Sequence, residues 1–437
     1  MVGTITTVTI HITRANNKMM FLNRLIIALI ITTAALQAHA GNHGKQSFWT
    51  GIAESKIEPS RAEASASCLG GYGPPFARCS SLEIADTITV RALAISSAGN
   101  NIYMLSVDTI GMGDQVISRI QKRAKQLSRS NIKPKEIVVI STHAHSTPDL
   151  QGLWGGVDPS YRERIIETSA RAIVNAKKTQ VLTSIEALAF DSEELLRNRR
   201  GGATVDQEIR ALSFFAVNGG QRVATLFNVS AHPTILDQNN SQYSSGWIHS
   251  AREELDRELG GKTIFVNGAL GDVEPVVDGR DYPDAQEWGL KIANTIIQRI
   301  DESTSVRGRL KYKRYNFSHP VTNPLVLGAA QAGLLDIDII GTQEPSIKTT
   351  FSVMNIGDTL SIVFFPGEAL SGIALPILEA SNAEYTFFVG LAGASYGYFI
   401  PSEEYLTVPG RTTEEAASLD PLIGDAIQAA ILRKINR

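Results

Sequence analysis

Two histidines, His143 and His145, follow a wholly β-branched run, Ile137-Val138-Val139-Ile140. Alternate residues of an extended segment share a face, so both imidazoles can enter one cleft. Such a pair can hold a metal ion, move a proton, or merely cap the strand through nearby backbone. His-x-His alone does not choose among these. Other apolar runs end in the same way. Phe227-Asn228-Val229-Ser230-Ala231 leads to His232-Pro233, and Ile362-Val363-Phe364-Phe365 leads to Pro366-Gly367-Glu368. Phe387-Phe388-Val389 opens into a glycine-rich loop bearing Tyr396 and Tyr398, and Phe265-Val266-Asn267 into a turn bearing Asp272 and Glu274. Each has an ordinary structural reading: a satisfied turn histidine, an acid complementing a helix dipole, a packed tyrosine, a solvent-facing acidic turn. Two histidines and a carboxylate with one open position also form a donor set of catalytic zinc. Zinc so held lowers the pKa of bound water to about 7 and polarises a carbonyl. A nearby neutral histidine can then move protons.

The elements that must position these tips alternate between strand and helix. Hydrophobic patterning predicts strands over 88–96, 102–110, 137–140, 181–190, 209–217, 223–230, 263–266, 305–317, 351–356, 359–365 and 386–389. It predicts helices over 114–129, 160–178, 247–259, 285–301, 370–380 and 413–435. Residues 41–67 read as polar and poorly patterned, and neither an internal repeat nor a low-complexity linker is visible. The alternation implies one mixed α/β domain over 41–437, with core β-sheets flanked by helices. Its metal site would lie at the strand ends, where open α/β sheets hold ligands.

Apolar residues make up 43% of the 437-residue chain and charged residues 19%, which describes a globular protein with a sizeable core. A formal charge of −3 leaves no basic footprint for nucleic acid. Arg24 precedes the apolar run Leu25–Ile31, and Ala38-His39-Ala40 has the small-x-small form of a cleavage site. The run is short for a membrane span. Residues 1–40 therefore read as a signal peptide with upstream read-through before Met19 or Met20. The mature chain would begin near Gly41 and be periplasmic or secreted; a retained signal anchor is the alternative. In an exported chain the two cysteines, Cys68 and Cys79, are expected to form a disulfide across a turn-rich loop.

These segments, in this order, resemble the N-terminal catalytic domain of the neutral, non-lysosomal ceramidase family. Thr142-His143-Ala144-His145-Ser146-Thr147-Pro148 matches a family motif of the form THTHSGP. Ala231-His232 follows a strand, Asn267 to Pro275 matches N-x-GD-x-SP, and Pro366-Gly367-Glu368 matches PGE. Tyr398 to Tyr405 matches Y-V-T-T-x-EEY, and Gly71-Tyr72-Gly73 looks like the family's glycine-tyrosine loop. The resemblance spans about residues 48 to 410. It implies zinc bound by His143, His232, Glu368 and Tyr398, with His145 facing substrate and assisting proton transfer. It also implies that Arg199 lies near the substrate.

Three departures stand beside the match. Glu274 occupies the position of a family serine assigned to catalysis, and Gly410 stands near the position of an expected tyrosine. The chain ends soon after the catalytic segments, without the family's C-terminal immunoglobulin-like domain. The resulting expectation is an exported zinc-dependent amidohydrolase that cleaves an N-acyl amide, such as a ceramide-like lipid, with zinc-activated water. His145 would protonate the leaving amine, Tyr398 or Arg199 would face the oxyanion, and Glu274 would serve as a second base or orient a ligand. Its partners would be a small-molecule or lipid substrate and, transiently, a membrane surface. The alternatives are a non-catalytic or altered-specificity envelope protein on the same scaffold, or a metal-dependent esterase or phosphoesterase.

Overall fold

Period-two alternation in the strands decides the layers. In Asn100–Val107, Ile102 and Met104 enter one core while Tyr103, Leu105 and Val107 enter another. Ile137–Ser141 divides likewise, Val138 and Ile140 against Ile137 and Val139. Strands apolar on both faces must be covered on both. The computed structural model describes residues 48–72, 78–192, 194–407 and 413–437, and it meets this demand with four layers.

The large sheet runs in the order Lys262–Asn267, Arg222–Val229, Glu208–Ala216, Val181–Asp191, Phe48–Lys56, Thr89–Ser97, Asn100–Val107, Ile137–Ser141, with Thr304–Ser305 attached to Val181–Asp191. The second sheet runs Leu310–Pro320, Ser346–Ile356, Leu360–Phe364, Tyr385–Val389, with Ile339–Ile340 attached to Ser346–Ile356. Leu93, Met104, Ile140 and Leu226 of the first meet Met354, Ile362, Phe364 and Phe387 of the second in a shared core. Helices Asp114–Leu127 and Pro159–Lys178 cover part of the outer face of the large sheet. Trp247–Leu259 and Tyr282–Arg299 cover the rest. Ser371–Glu379 and Ile423–Leu432 cover the outer face of the second sheet.

One connection recurs three times: an antiparallel hairpin, a helix, then a strand parallel to the hairpin's second strand. Its copies place Ile137–Ser141 beside Asn100–Val107, Lys262–Asn267 beside Arg222–Val229, and Tyr385–Val389 beside Leu360–Phe364. Each copy leaves two parallel strands ending side by side, and these are the ends that carry the candidate chemistry. No residue motif repeats, because what recurs is pairing rather than side chains.

The mixed α/β architecture and flanking helices agree with the sequence reading, with several differences in the elements. Phe48–Lys56, in the stretch read as unpatterned, is a strand between Thr89–Ser97 and Val181–Asp191. Only its first half is well buried, so its apolar signal is diluted. The terminal helix expected over 413–435 is two helices, Thr413–Ala416 and Ile423–Leu432, interrupted around Pro421, which lacks a backbone N–H. Pro324–Gln331 is an unexpected helix, started by Pro324 at its first position and the Asn323 side chain bonded to Leu325 N–H. Cys68 and Cys79 form the expected disulfide, joining strands Cys68–Leu69 and Arg78–Cys79. The described residues from Phe48 to Arg437 make one compact unit. The signal segment, Gly73 and Gly410 lie outside the described residues. Among the described residues no helix is long and apolar enough to cross a membrane.

Candidate metal centre

His143 leaves its strand in the left-handed region, at φ 62°. For a non-glycine residue this costs about 1 kcal/mol and gathers at functional sites. The turn lets the His143 N–H donate to Thr109 O at 2.9 Å and its Nδ1–H to Ile110 O at 2.5 Å. His232 is held in the same manner: its N–H donates to Val273 O at 3.0 Å and its Nδ1–H to Leu270 O at 3.1 Å. A neutral imidazole with its proton on Nδ1 carries a lone pair on Nε2. The Nε2 atoms of His143 and His232 stand 3.1 Å apart, and His145 Nε2 lies 3.1 Å from His232 Nε2. Glu368 Oε2 is 3.1 Å from His143 Nε2 and 3.9 Å from His232 Nε2, yet makes no hydrogen bond. All four side chains are buried.

Converging lone pairs and an unpaired buried carboxylate oxygen cannot persist cheaply in a low-dielectric interior. A cation at their centre removes both costs. Tetrahedral coordination at about 2.0–2.1 Å would set donor atoms about 3.3 Å apart, close to the separations here. The donor set therefore fits a zinc-like divalent ion. His143 and His232 each donate Nδ1–H to a carbonyl, the usual outer support of a ligating histidine. His145 differs. Its Nδ1 makes no hydrogen bond of good geometry, and the backbone of Gly71 lies against it. Gly71 sits at φ 101°, and a β-carbon there would come within 2.3 Å of that Nδ1. The Tyr72 ring packs edge-on to His145 at 5.0 Å, and Arg78 lies over Tyr72 at 4.7 Å.

Glu368 and Tyr398 come from different strand ends but pair directly, Glu368–Ala369 running parallel to Tyr398–Phe399. The Tyr398 hydroxyl contacts the Glu368 carboxyl and accepts a 3.1 Å bond from Arg199 Nη2. Arg199 also donates to Gly271 O, at 3.2 Å from Nε and 2.8 Å from Nη2. Burial raises the Tyr398 phenol, and the neighbouring Glu368 charge raises it further. Burial also holds His145 and His232 well below the usual histidine range, reinforced by positive neighbours including Arg199. Burial would raise Glu368, but the attraction of His143 in its protonated form, with Tyr398 and Arg199, brings it below its ordinary value.

Two further side chains hold this arrangement. Asn267 Nδ2 donates to Ser141 O at 2.6 Å, tying two strand tips together. Asp272, buried, accepts the Ser371 N–H, the Ser371 hydroxyl and the Asn198 amide, each at 2.8 Å. It thereby clamps the segment after Glu368 to the segment before Arg199. Asn-Gly and Gly-Asp pairs in the 267–272 turn were the visible signal, but not their partners. Glu274 is not brought to the nitrogen cluster. One of its oxygens pairs with Arg197 at 2.8 Å and the other faces Arg280 at 3.7 Å.

A cleft of about 360 Å³ reaches the centre, lined by His143, His145, Glu368 and Tyr398 at one part and by Leu153, Trp154, Val326, Leu335, Ile337 and Leu419 at another. A larger, more polar groove of about 690 Å³ beside Arg314 and Lys348 lies away from the histidines. We place the candidate chemistry in the smaller cleft, because unpaired donors and apolar walls meet there.

Four packed α and β layers, with imidazole and carboxylate donors converging at strand ends beside an apolar cleft, define a scaffold that could hold a metal ion. Its fold is that of neutral ceramidase. The structure is similar to that of neutral ceramidase from Pseudomonas aeruginosa, with a TM-score of 0.73 at 16% identity, over 89% of this chain and 74% of that one. It is similar too to a ceramidase complexed with C2, with a TM-score of 0.72 at 16% identity and the same coverage. No protein-family model and no curated protein sequence matches the chain.

Proposed function

We propose that this chain is an exported, zinc-dependent hydrolase of the neutral ceramidase type, acting on an N-acyl amide with an apolar tail. The observation that carries this reading is the meeting of three imidazole Nε2 atoms with the unpaired Glu368 Oε2 beside an apolar cleft. His143, His232 and Glu368 would hold the ion together with Tyr398, whose hydroxyl reaches Glu368, leaving His145, its Nε2 3.1 Å from His232 Nε2, beside the ion on the substrate side. When bound, zinc would supply a lowered pKa for water and polarise the scissile carbonyl. His145, neutral and without a carbonyl on Nδ1, would take a proton from water and return it to the leaving amine. Arg199 would place positive charge beside the oxygen that becomes negative during attack. Leu153, Trp154 and Val326 would bind the acyl chain and keep bulk water out.

Contact with a membrane surface belongs to the same reading. Leu153 and Leu325 line the cleft while remaining 40% and 64% exposed, so a lipid tail could pass from a bilayer along continuous apolar surface. Export is supported by the N-terminal apolar run and by the disulfide, a bond that persists in oxidising compartments. The test is metal analysis of the purified protein, followed by turnover of fluorogenic N-acyl amides, esters and phosphoesters. Hydrolysis of amides that disappears with chelation supports the reading. Stoichiometric zinc without turnover of any of them would instead favour a binding protein on this scaffold.

A further inference from the structure

Arg199 places a full positive charge on Tyr398, a residue proposed to hold a cation, and something must offset that charge. Glu414 does so through a direct ion pair. Its Oε1 lies 2.9 Å from Arg199 Nη2, the same nitrogen that reaches the Tyr398 hydroxyl at 3.1 Å. Its Oε2 bonds Arg200 Nη1 at 3.1 Å. Glu415 serves the other arginine, with Oε1 at 2.8 Å from Arg200 Nη2, and takes the Leu406 N–H at 3.1 Å. Consecutive arginines are thus matched to consecutive glutamates, and only Glu414 reaches toward the metal centre. Both glutamates are buried, in a helical turn, Thr413–Ala416, whose Thr413 and Ala416 line the cleft.

We propose that Glu414 is a positioning residue: it fixes Arg199 on the Tyr398 hydroxyl and offsets the arginine charge so that a cation can bind beside it. The proposal rests on the metal-site reading above. Removing the Glu414 charge leaves a guanidinium that keeps its bonds to Gly271 O and Tyr398 but loses its ion pair, so its charge is less balanced next to a bound cation. The effect should appear in metal binding itself, before any chemistry.

The test uses full-length protein and measures zinc affinity by chelator competition, with the visible spectrum of the cobalt(II) form as a second readout. Glu414→Gln should weaken zinc binding about tenfold, the scale of a directly coupled neighbour, and alter the cobalt spectrum. Glu415→Gln should stay within about twofold of wild type, since it touches Arg200 alone of the two arginines. The double variant Arg199→Gln/Glu414→Gln should bind more tightly than Glu414→Gln, because the unbalanced charge is gone. Glu414→Gln binding as wild type does, or Glu415→Gln losing as much, would overturn the proposal. A double variant no tighter than the single would overturn the charge argument. If Glu414→Gln does not fold, Glu414→Asp keeps the charge but shortens the reach to two arginines. It should show a smaller loss, and wild-type affinity there also overturns the proposal. A wild-type protein that binds no zinc instead removes the metal-site reading beneath it.

Discussion

Asp272→Ala should damage both the fold and the metal centre, and the structure sets the size of the damage. Asp272 is 1% exposed and accepts three bonds, from Ser371 N, Ser371 Oγ and Asn198 Nδ2, each at 2.8 Å. The serine hydroxyl can turn elsewhere when the carboxylate is removed. The Ser371 N–H at the start of its helix and one N–H of Asn198 cannot. Each buried donor left unpaired costs about 1–3 kcal/mol, so the loss should be about 4 kcal/mol. Ser371→Ala removes a single bond to the same carboxylate and should cost about 1.5 kcal/mol. Urea unfolding measures both. Because the clamp joins the segment after Glu368 to the Asn198-Arg199 segment, Asp272→Ala should also weaken zinc binding, whereas Ser371→Ala should not. A loss under about 1 kcal/mol for Asp272→Ala, or two variants of equal cost, would refute this account of the clamp.

Four further outcomes are expected. His143→Ala and His232→Ala should each lose stoichiometric zinc, whereas His145→Ala should keep it and lose about 10²–10⁴-fold in kcat, read by metal analysis beside single-turnover kinetics. Glu274→Gln should lower kcat less than about tenfold, because its carboxylate is committed to Arg197 and Arg280; a loss as large as that of His145→Ala would restore it as a base. Glu63 is bonded by Arg164 through Nε at 2.9 Å and Nη2 at 2.8 Å, and the arginine draws its pKa from 4.5 down to about 2. A depressed acid stabilises the fold above its unfolded pKa, so this contribution is present above pH 4.5 and lost as pH falls toward 2. Its worth is about 2 kcal/mol after allowance for partial solvent screening, and Glu63→Gln should flatten that acid limb of stability. Reducing the Cys68–Cys79 disulfide, whose sulfurs lie 11 positions apart, should cost about 3 kcal/mol by loop entropy. Denaturation with and without a thiol reductant checks it.

Much of the scaffold was legible because its strands are buried on both faces and end sharply. The helix predicted over 247–259 appears with those bounds, ended by Gly260, and the hairpin around Asn218-Gly219-Gly220 forms as its turn residues require. His143, His232, Glu368 and Tyr398 could be picked out because each follows an apolar run at a proline or glycine. Their convergence was not legible from periodicity. It depends on parallel pairings such as Leu360–Phe364 with Tyr385–Val389, which no local signal encodes. The resemblance of ordered motifs supplied that link. Glu274 could not be told from Asp272 for a related reason: it stands two residues after it, and only the Arg197 and Asn198 contacts reveal which partners each carboxylate takes. The Phe48–Lys56 strand was missed because a half-exposed strand loses its apolar contrast. Glu414 carried no signal at all, since its importance lies in a partner more than two hundred residues away.

The central claim is that far-separated strand ends grip one divalent ion. Metal content per chain, measured on purified wild type, His143→Ala and His232→Ala after dialysis, tests it most directly. One zinc per wild-type chain, absent from both folded variants, is the predicted result. Wild-type protein that is free of metal, fully folded and still turns over an N-acyl substrate would contradict it.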